Sequence, residues 1–110
     1  MAKSNSFFNM DMLVLSVLSR EDCYGYEIVK KMNEISDGAI EIKEGTLYPI
    51  MYSLLKKEYI SSRDVIVNKK IRVYYHIENA GKEYLFSVTQ DFKKKIQGVF
   101  KILDYQSKGE

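Results

Sequence analysis

The sequence predicts an α+β fold that is mainly α-helical and contains one small β-hairpin. Three features lead to this prediction: three apolar segments with helical spacing, two β-branched runs around a short polar turn, and a long C-terminal segment with nearly heptad spacing. The 110 residues suffice for one domain with a modest core. A hydrophobic content of 45% argues against disorder.

The first two helices are predicted from apolar periodicity and from residues that begin or end helices. Phe7 to Leu18 is strongly apolar and follows the cap-type residues Ser4-Asn5-Ser6. A second helix is predicted over about Tyr24 to Asp37, with Gly38 as its left-handed C-terminal cap. Its apolar residues recur at helical spacing, at Ile28, Val29, Met32 and Ile35.

A third helix is predicted to begin near Gly45 or Thr46 and to end near Tyr59. Pro49, the one proline, is expected in its first turn, where a missing N–H costs little. One buried stripe repeats at three and four residues and comprises Leu47, Ile50, Met51, Leu54 and Leu55.

A β-hairpin is predicted where the sequence period changes from helical to alternating. Ile60 to Val67 and Ile71 to Ile77 are rich in Val, Ile and Tyr, and Asn68-Lys69-Lys70 separates them. One face of the second strand holds Arg72, Tyr74 and His76. The other face, which we expect to be buried, holds Ile71, Val73, Tyr75 and Ile77.

The C-terminal segment from Asn79 to about Ser107 is predicted to be one long helix. Glu78 is a poor N-cap, so Asn79 is expected to cap it. Its apolar seam is close to a heptad pattern and consists of Leu85, Val88, Phe92, Ile96, Val99 and Leu103. A helix on the order of 40 Å long cannot bury this seam against so small a domain. We therefore expect it to pair with the same helix of a second copy.

Composition limits the function classes. No apolar stretch approaches the roughly 20 residues of a membrane span, and no signal-peptide pattern is recognised. Cys23 is the single cysteine, which excludes an internal disulfide and a cysteine-rich metal site and favours a reducing cytoplasm. No nucleophile–base pair, phosphate-binding glycine loop or metal-ligand spacing is present. The sequence therefore predicts no enzymatic activity, no cofactor and no metal.

Positive charge is concentrated in one part of the chain. The net charge is only +2, but the segment from Lys43 to Arg72 contains seven cationic and three anionic residues. Such clustering alone is often a solvated face. The order of three helices, a basic-tipped hairpin and a long helix is that of a winged helix-turn-helix followed by a dimerisation helix, which would bring these cations to one surface.

A winged helix-turn-helix places its third helix in the major groove of DNA and its hairpin beside the neighbouring phosphates. We expect residues 1–77 to form the DNA-binding domain and residues 78–110 the dimerisation helix. The side chains expected to contact double-stranded DNA are Tyr26, Lys30, Lys43, Thr46, Tyr48, Tyr52, Ser53, Lys56, Lys69, Lys70 and Arg72.

Four short blocks follow one another along the chain: Tyr24-Gly25-Tyr26-Glu27-Ile28, Glu44-Gly45-Thr46-Leu47-Tyr48-Pro49, Tyr74-Tyr75-His76-Ile77 and Ala80-Gly81. In this order and spacing they resemble the signature of the PadR family of transcriptional regulators. The Gly-Thr-Leu-Tyr-Pro block is the most specific of them. The resemblance extends from about Met12 to the end, and the single C-terminal helix is similar to the short branch of the family.

The resemblance implies a homodimeric repressor of palindromic operator DNA that a small hydrophobic or aromatic effector releases. Several short members regulate multidrug efflux and bind flat compounds between their paired C-terminal helices, at a position that matches Phe92. The implied effector-binding residues are Leu85, Val88, Thr89, Phe92 and Ile96. The implied dimer interface comprises Phe7, Phe8, Leu85, Val88, Phe92, Ile96, Val99 and Leu103.

Other interpretations of these residues remain open at the level of sequence. Tyr48 and Tyr52 are also explained by packing, and Lys69 and Lys70 by a solvated turn. Phe92 is explained by the dimer core alone. A second function class is a winged-helix protein-interaction adaptor without specific DNA binding. A cationic hairpin and third helix are features that an adaptor does not need.

Overall fold

The computed structural model describes residues 8–107 of the chain. The helices are α1 (Met10–Leu18), α2 (Gly25–Ile35), α3 (Glu44–Lys56) and α4 (Asn79–Leu103), and the strands are β1 (Cys23–Tyr24), β2 (Ile60–Val67) and β3 (Lys70–Ile77). This architecture confirms the predicted α+β fold class, with a long C-terminal helix. None of the described helices combines the length and apolar character needed to cross a bilayer.

The three strands form one antiparallel sheet in the order β1-β3-β2. β1 was not predicted, because a strand of two residues is too short to show an alternating pattern. It pairs Cys23 with Tyr75 and Tyr24 with Tyr74, and thereby ties the chain before α2 to the hairpin.

The hairpin turn has two residues rather than the expected three. Asn68 and Lys69 have φ values of 51° and 66°, and Val67 pairs with Lys70, so Lys70 belongs to β3. Positive φ at both central residues is the geometry of a type I′ turn, whose twist matches that of the flanking strands.

The second helix ends at Ile35, two residues before the predicted end. Asp37 takes the left-handed conformation with φ of 55°, and Gly38 follows with φ of 82°. The Gly38 N–H donates to the Asn33 carbonyl at 2.8 Å, as in a Schellman motif. Gly38 is therefore left-handed in the C-terminal cap, as predicted, but the first left-handed residue is Asp37.

The third helix begins at Glu44 and ends at Lys56, earlier than predicted at both ends. Glu58 adopts φ of 62°, and the Tyr59 N–H donates to the Leu54 carbonyl at 3.0 Å. This left-handed turn ends the helix before Tyr59, although the apolar spacing of the sequence continues to that residue. Because the helix starts at Glu44, Pro49 lies in its second turn and not in its first.

The first and last helices also differ from the prediction at their ends. α1 begins at Met10 rather than Phe7, and both Phe7 and the predicted caps Ser4 to Ser6 lie outside the described residues. The N-cap of α4 is Glu78 and not Asn79, and the helix ends at Leu103 rather than near Ser107. The Glu78 side chain accepts a hydrogen bond from the Ser61 hydroxyl, which holds this residue at the base of the sheet.

The hydrophobic core lies between the first three helices and the base of the sheet. Its largest fully buried side chains are Val14, Leu15, Leu18, Cys23, Ile28, Leu47, Met51 and Leu54. The third helix therefore buries most of its predicted stripe, while Ile50 and Leu55 are only half-buried at its margin. Each fully buried aliphatic side chain stabilises the fold by roughly 1.5–3 kcal/mol relative to exposure.

The predicted burial of one hairpin face is correct only near its base. Tyr75 and Ile77 are buried, but Ile71 and Val73 are 67% and 39% exposed, and Ile66 opposite Ile71 is 75% exposed. The distal half of the hairpin extends beyond the helices, so no core residue covers these side chains.

The start of α4 is joined closely to the end of α3. The Glu78 N–H donates to the Tyr59 carbonyl at 2.9 Å, and the rings of Tyr59 and Tyr84 stack at 4.7 Å. A Cβ atom on Gly81 would overlap the Tyr59 carbonyl oxygen and lie 3.0 Å from Ile77 Cγ1. Only glycine permits this approach of the two backbones.

Gly81→Ala is expected to destabilise the protein by about 1–3 kcal/mol, because the added methyl group must displace backbone rather than a flexible side chain. The free energy of urea unfolding measures this effect. Gly45→Ala is the control, since it also changes a glycine in the first turn of a helix but its Cβ would meet nothing within 4 Å. Equal effects of the two substitutions would contradict the proposed contact.

Candidate nucleic-acid interface

One side of α3 is exposed along its length and carries polar and aromatic side chains. Burial of Leu47, Met51 and Leu54 on the opposite side determines which residues face solvent. Tyr52 is 75% exposed and Tyr48 41% exposed. The predicted outward positions are all exposed in the structure: Thr46, Tyr48, Tyr52, Ser53 and Lys56.

The hairpin tip presents two lysines to solvent. Lys69 occupies the turn and Lys70 the first position of β3, and both are exposed. Between α3 and the sheet lies a groove of about 350 Å³, lined by Tyr48, Met51, Tyr52, Leu55 and Tyr75. Burial at the floor of this groove raises the pKa of the Tyr75 hydroxyl. The groove is thus lined by three tyrosines and two apolar side chains.

Three further residues predicted to contact DNA lie on α2 and at the start of α3. Tyr26 and Lys30 are both exposed and lie one helical turn apart on α2. Lys43 is exposed at the N-cap of α3.

Arg72 lies on the outer face of the sheet and makes an intramolecular contact there. Its guanidinium is 4.3 Å from the centroid of the Tyr24 ring, and Tyr24 meets Tyr74 edge-on at 5.4 Å. Arg63 lies 5.6 Å from the Tyr74 ring on the same face. These four side chains form a row across the three strands, in which the two adjacent tyrosine rings lie between the two guanidinium groups. The sequence pattern does not indicate this row, because β1 is too short to be predicted as a strand.

Asp22 is a second feature that the sequence analysis did not detect. Its carboxylate accepts a hydrogen bond from Arg63 at 2.6 Å and lies 2.8 Å from Nδ1 of His76. The hydrogen bond with His76, followed by that with Arg63, lowers the pKa of Asp22 from its ordinary value of 3.8, although partial burial opposes the shift. Asp22 therefore ties the segment before β1 to both long strands.

Tyr48 lies against Gly25, the first residue of α2. A Cβ atom on Gly25 would overlap the Tyr48 hydroxyl oxygen and lie 3.0 Å and 3.2 Å from its Cζ and Cε1 atoms. Gly25 and Tyr48 belong to two different sequence blocks, and their contact connects the blocks in space.

The residues predicted for effector binding lie along α4 and are all half-buried: Leu85, Val88, Thr89, Phe92 and Ile96. Phe92 meets Phe8 edge-on at 6.0 Å. A groove of about 170 Å³ beside these two rings is lined also by Asn9, Met12, Val88, Asp91 and Lys95.

The remaining residues of the predicted dimer interface differ in exposure and in whether they are described. Val99 is half-buried and Leu103 is 70% exposed, whereas Phe7 lies outside the described residues. Further apolar side chains near the end of α4 are also exposed, namely Phe100, Ile102 and Tyr105.

No group of three or more His, Cys, Asp or Glu side chains among residues 8–107 is arranged to hold a metal ion. Burial raises the pKa of the Cys23 thiol to about 11, which suppresses its thiolate form.

The helices, the sheet and the exposed surface of α3 define a winged helix-turn-helix protein. The chain matches the profile of the PadR-like family of transcriptional regulators over residues 14–87, and it belongs to that family. Members of the family are transcriptional regulators and not enzymes, in agreement with the sequence analysis.

Individual relatives and solved structures agree with this assignment. A Lysinibacillus sphaericus protein, named only Uncharacterized protein X, is 35% identical over 76% of this chain and 78% of its own length. A transcriptional regulator from Clostridium thermocellum is 34% identical with a TM-score of 0.77, covering 83% of this chain and 89% of that chain. Bacillus subtilis PadR in complex with operator DNA shares the fold, with 23% identity and a TM-score of 0.67 over 71% of this chain and 45% of that chain.

Asp22→Asn is expected to remove a pH-dependent part of the stability. Because the folded-state pKa of Asp22 is lowered, its ionised form stabilises the native state above the unfolded-state pKa of about 4. That contribution is lost as the pH falls through the folded-state pKa. The urea midpoint of the wild type should exceed that of the variant near neutral pH and approach it as the pH falls below the folded-state pKa.

The control for this measurement is Asp64→Asn, which neutralises an exposed carboxylate on β2. It should leave the wild-type pH dependence almost unchanged. A constant difference between wild type and Asp22→Asn over the whole pH range would show that the carboxylate is not the titrating group.

Proposed function

We propose that this protein is a repressor that binds palindromic operator DNA as a homodimer and is released by a small hydrophobic or aromatic effector. The observation that carries the proposal is the exposed polar side of α3, which shares a groove with β3 at Tyr75, in a fold whose hairpin tip carries the exposed Lys69 and Lys70. Residues 1–77 would form the DNA-binding domain and residues 78–110 the dimerisation helix, in a protein of the cytoplasm.

The chemistry of this surface suits duplex DNA. The exposed hydroxyls of Thr46, Tyr52 and Ser53 and the ammonium group of Lys56 are donors for base edges and phosphates. Lys69 and Lys70 would contact the phosphates of the DNA that flanks the major-groove site. The fold shared with a PadR protein bound to operator DNA supports this orientation of α3 and hairpin.

The contribution of Arg72 is proposed to be indirect. Its guanidinium stacks on Tyr24 on the outer face of the sheet, where it stiffens the hairpin. Arg72 could still contact a DNA phosphate through the N–H groups that point away from the Tyr24 ring.

The apolar side chains of α4 support the proposed homodimer. Leu103 is 70% exposed in the single chain, and Phe100, Ile102 and Tyr105 are exposed beside it. So many apolar residues on one helix mark an interaction surface rather than an ordinary solvated face. Two-fold symmetry would place two α3 helices about 34–36 Å apart, which is one turn of DNA.

The proposed effector position is the groove beside Phe92. Its rings and aliphatic side chains suit a flat apolar molecule, and Asp91 and Lys95 provide polar partners at its edge. In the dimer, the second copy would close this groove.

The alternative function is a protein-interaction adaptor. The exposed apolar pair Ile66 and Ile71 on the hairpin is the observation that favours it, because this pair resembles a docking patch more than a phosphate contact. An adaptor would show no salt-dependent preference for its own promoter.

Titration of the protein with its own promoter DNA at increasing salt tests the proposal. Specific binding should weaken steeply, with log K falling by about 0.9 per phosphate contact for each unit of log salt. Lys69→Ala with Lys70→Ala should weaken binding to all sequences and flatten this slope, because the phosphate contacts carry no sequence information.

The matched control is Lys93→Ala with Lys94→Ala, which removes the same charge from an exposed face of α4. It should leave the slope nearly unchanged. Promoter binding that is absent or insensitive to salt would exclude the repressor function. Equal effects of the two double variants would show that only the net charge of the protein matters and not the position of the hairpin lysines.

Val99→Lys combined with Leu103→Glu is expected to yield monomers and to abolish operator binding at the same time, with no change in net charge. Charged side chains at an apolar seam lose their hydration when two helices pair, and this cost exceeds what their mutual attraction returns. Sedimentation measures the oligomeric state. Gln90→Lys combined with Gln97→Glu is the control, because both residues are exposed on α4, lie outside the seam and together leave the net charge unchanged. A dimer that survives the seam variant would place the interface elsewhere.

A further inference from the structure

The contact between Gly25 and Tyr48 joins the two elements that face the proposed DNA surface. Gly25 is buried at the point where β1 leads into α2, and Tyr48 lies in α3. The atoms of Tyr48 nearest to the missing Cβ position of Gly25 are Oη, Cζ and Cε1. The hydroxyl end of the ring is therefore directed at the backbone of α2.

The other side of the same ring borders the groove between α3 and the sheet. Tyr48 lines this groove together with Tyr52 and Tyr75 and remains 41% exposed. Its ring thus fills the space between the first residue of α2 and the aromatic floor of the groove. The core side of α3 is already closely packed through Leu47 and Met51. A shift of the Tyr48 ring would therefore move α3 relative to α2.

The first residue of α2 is also restrained from its other side. Tyr24 pairs with Tyr74 in the sheet, and its N–H donates to the Glu27 carboxylate at 3.2 Å. With this side held, the contact of Tyr48 with Gly25 and the shared core together set the position of α3 relative to α2.

We propose that Tyr48 is a positioning residue, which sets the spacing of α3 from α2 by packing its phenol on Gly25, and that glycine is required at position 25 to admit the ring. The inference rests on the proposed DNA-binding function for its consequence, since the spacing determines how α3 and Tyr26 meet the duplex. It replaces direct readout by Tyr48, which the sequence analysis expected, with an indirect contribution.

A double-mutant cycle tests the proposal. Gly25→Ala alone should lower promoter affinity by about tenfold or more, because the methyl group displaces the ring or the helix. Tyr48→Phe alone should change affinity by no more than about threefold. In the double variant most of the affinity should return, since removing the hydroxyl relieves the overlap and leaves ring carbons at 3.0 Å and 3.2 Å, which need shifts of only tenths of an ångström.

The same cycle is measured by urea unfolding without DNA, so failure of the proposed function does not obscure it. Rescue should appear there as well, with Gly45→Ala as the control for a first-turn glycine that meets no atom within 4 Å. Tyr52→Phe is the control for loss of an exposed phenol hydroxyl. Circular dichroism at the titration temperature verifies that each variant is folded.

Two results would overturn the positioning role. If Tyr48→Phe weakens DNA binding as much as Gly25→Ala and the double variant is no better than either, Tyr48 acts through a direct hydroxyl contact with DNA. If the double variant is no more stable than Gly25→Ala, the overlap with the hydroxyl is not the constraint. Absence of promoter binding by the wild type, with rescue still seen in unfolding, would reject the proposed function and retain the contact.

Discussion

The burial of one stripe of α3 is the constraint on which the rest of the structure depends. Leu47, Met51 and Leu54 are at most 1% exposed, so the rotation of this helix about its axis is determined by the core. Rotation of α3 would expose these side chains at a cost of several kcal/mol. The outward set of hydroxyl, aromatic and ammonium groups is a consequence of that burial, because an α-helix has only one side left to present.

The position of α3 along and across the core is set by close contacts at two glycines rather than by further apolar burial. Near the start of α3, the Tyr48 ring lies on Gly25, and just beyond its end the Tyr59 carbonyl lies against Gly81. The second contact continues into α4 through the stack of Tyr59 on Tyr84 and the hydrogen bond from Tyr84 to Asp11, at 3.0 Å. Desolvation, together with this hydrogen bond, raises the pKa of Tyr84 to about 12, so its hydroxyl remains a donor at physiological pH. The helix proposed to meet DNA is therefore linked at both ends to other elements, one of which leads to the proposed dimer interface.

The hairpin is built by a different principle. Its base packs on the core through Tyr75 and Ile77, while its outer face is held by polar and cation–π contacts from Asp22, Arg63, Arg72 and two tyrosines. Such contacts are individually weak at a surface, but several that share side chains restrict the hairpin together. This arrangement leaves the tip solvated and the exposed pair Ile66 and Ile71 without cover, which suits an element that meets a partner.

The sequence by itself determined the order of elements, the buried stripe of α3, the hairpin and the family. These properties follow from local periodicity and from short motifs, which neighbouring residues are sufficient to specify. Only the tertiary structure decided the short strand β1, the exposure of Ile71 and Val73, the hub at Asp22 and the contact of Gly25 with Tyr48. Each of these joins residues far apart in the chain or depends on where the core stops, and no local pattern carries that information. The left-handed residues Asp37 and Glu58, which end their helices earlier than the apolar pattern indicates, belong to the same class, because the backbone turns there to satisfy packing that the pattern does not record.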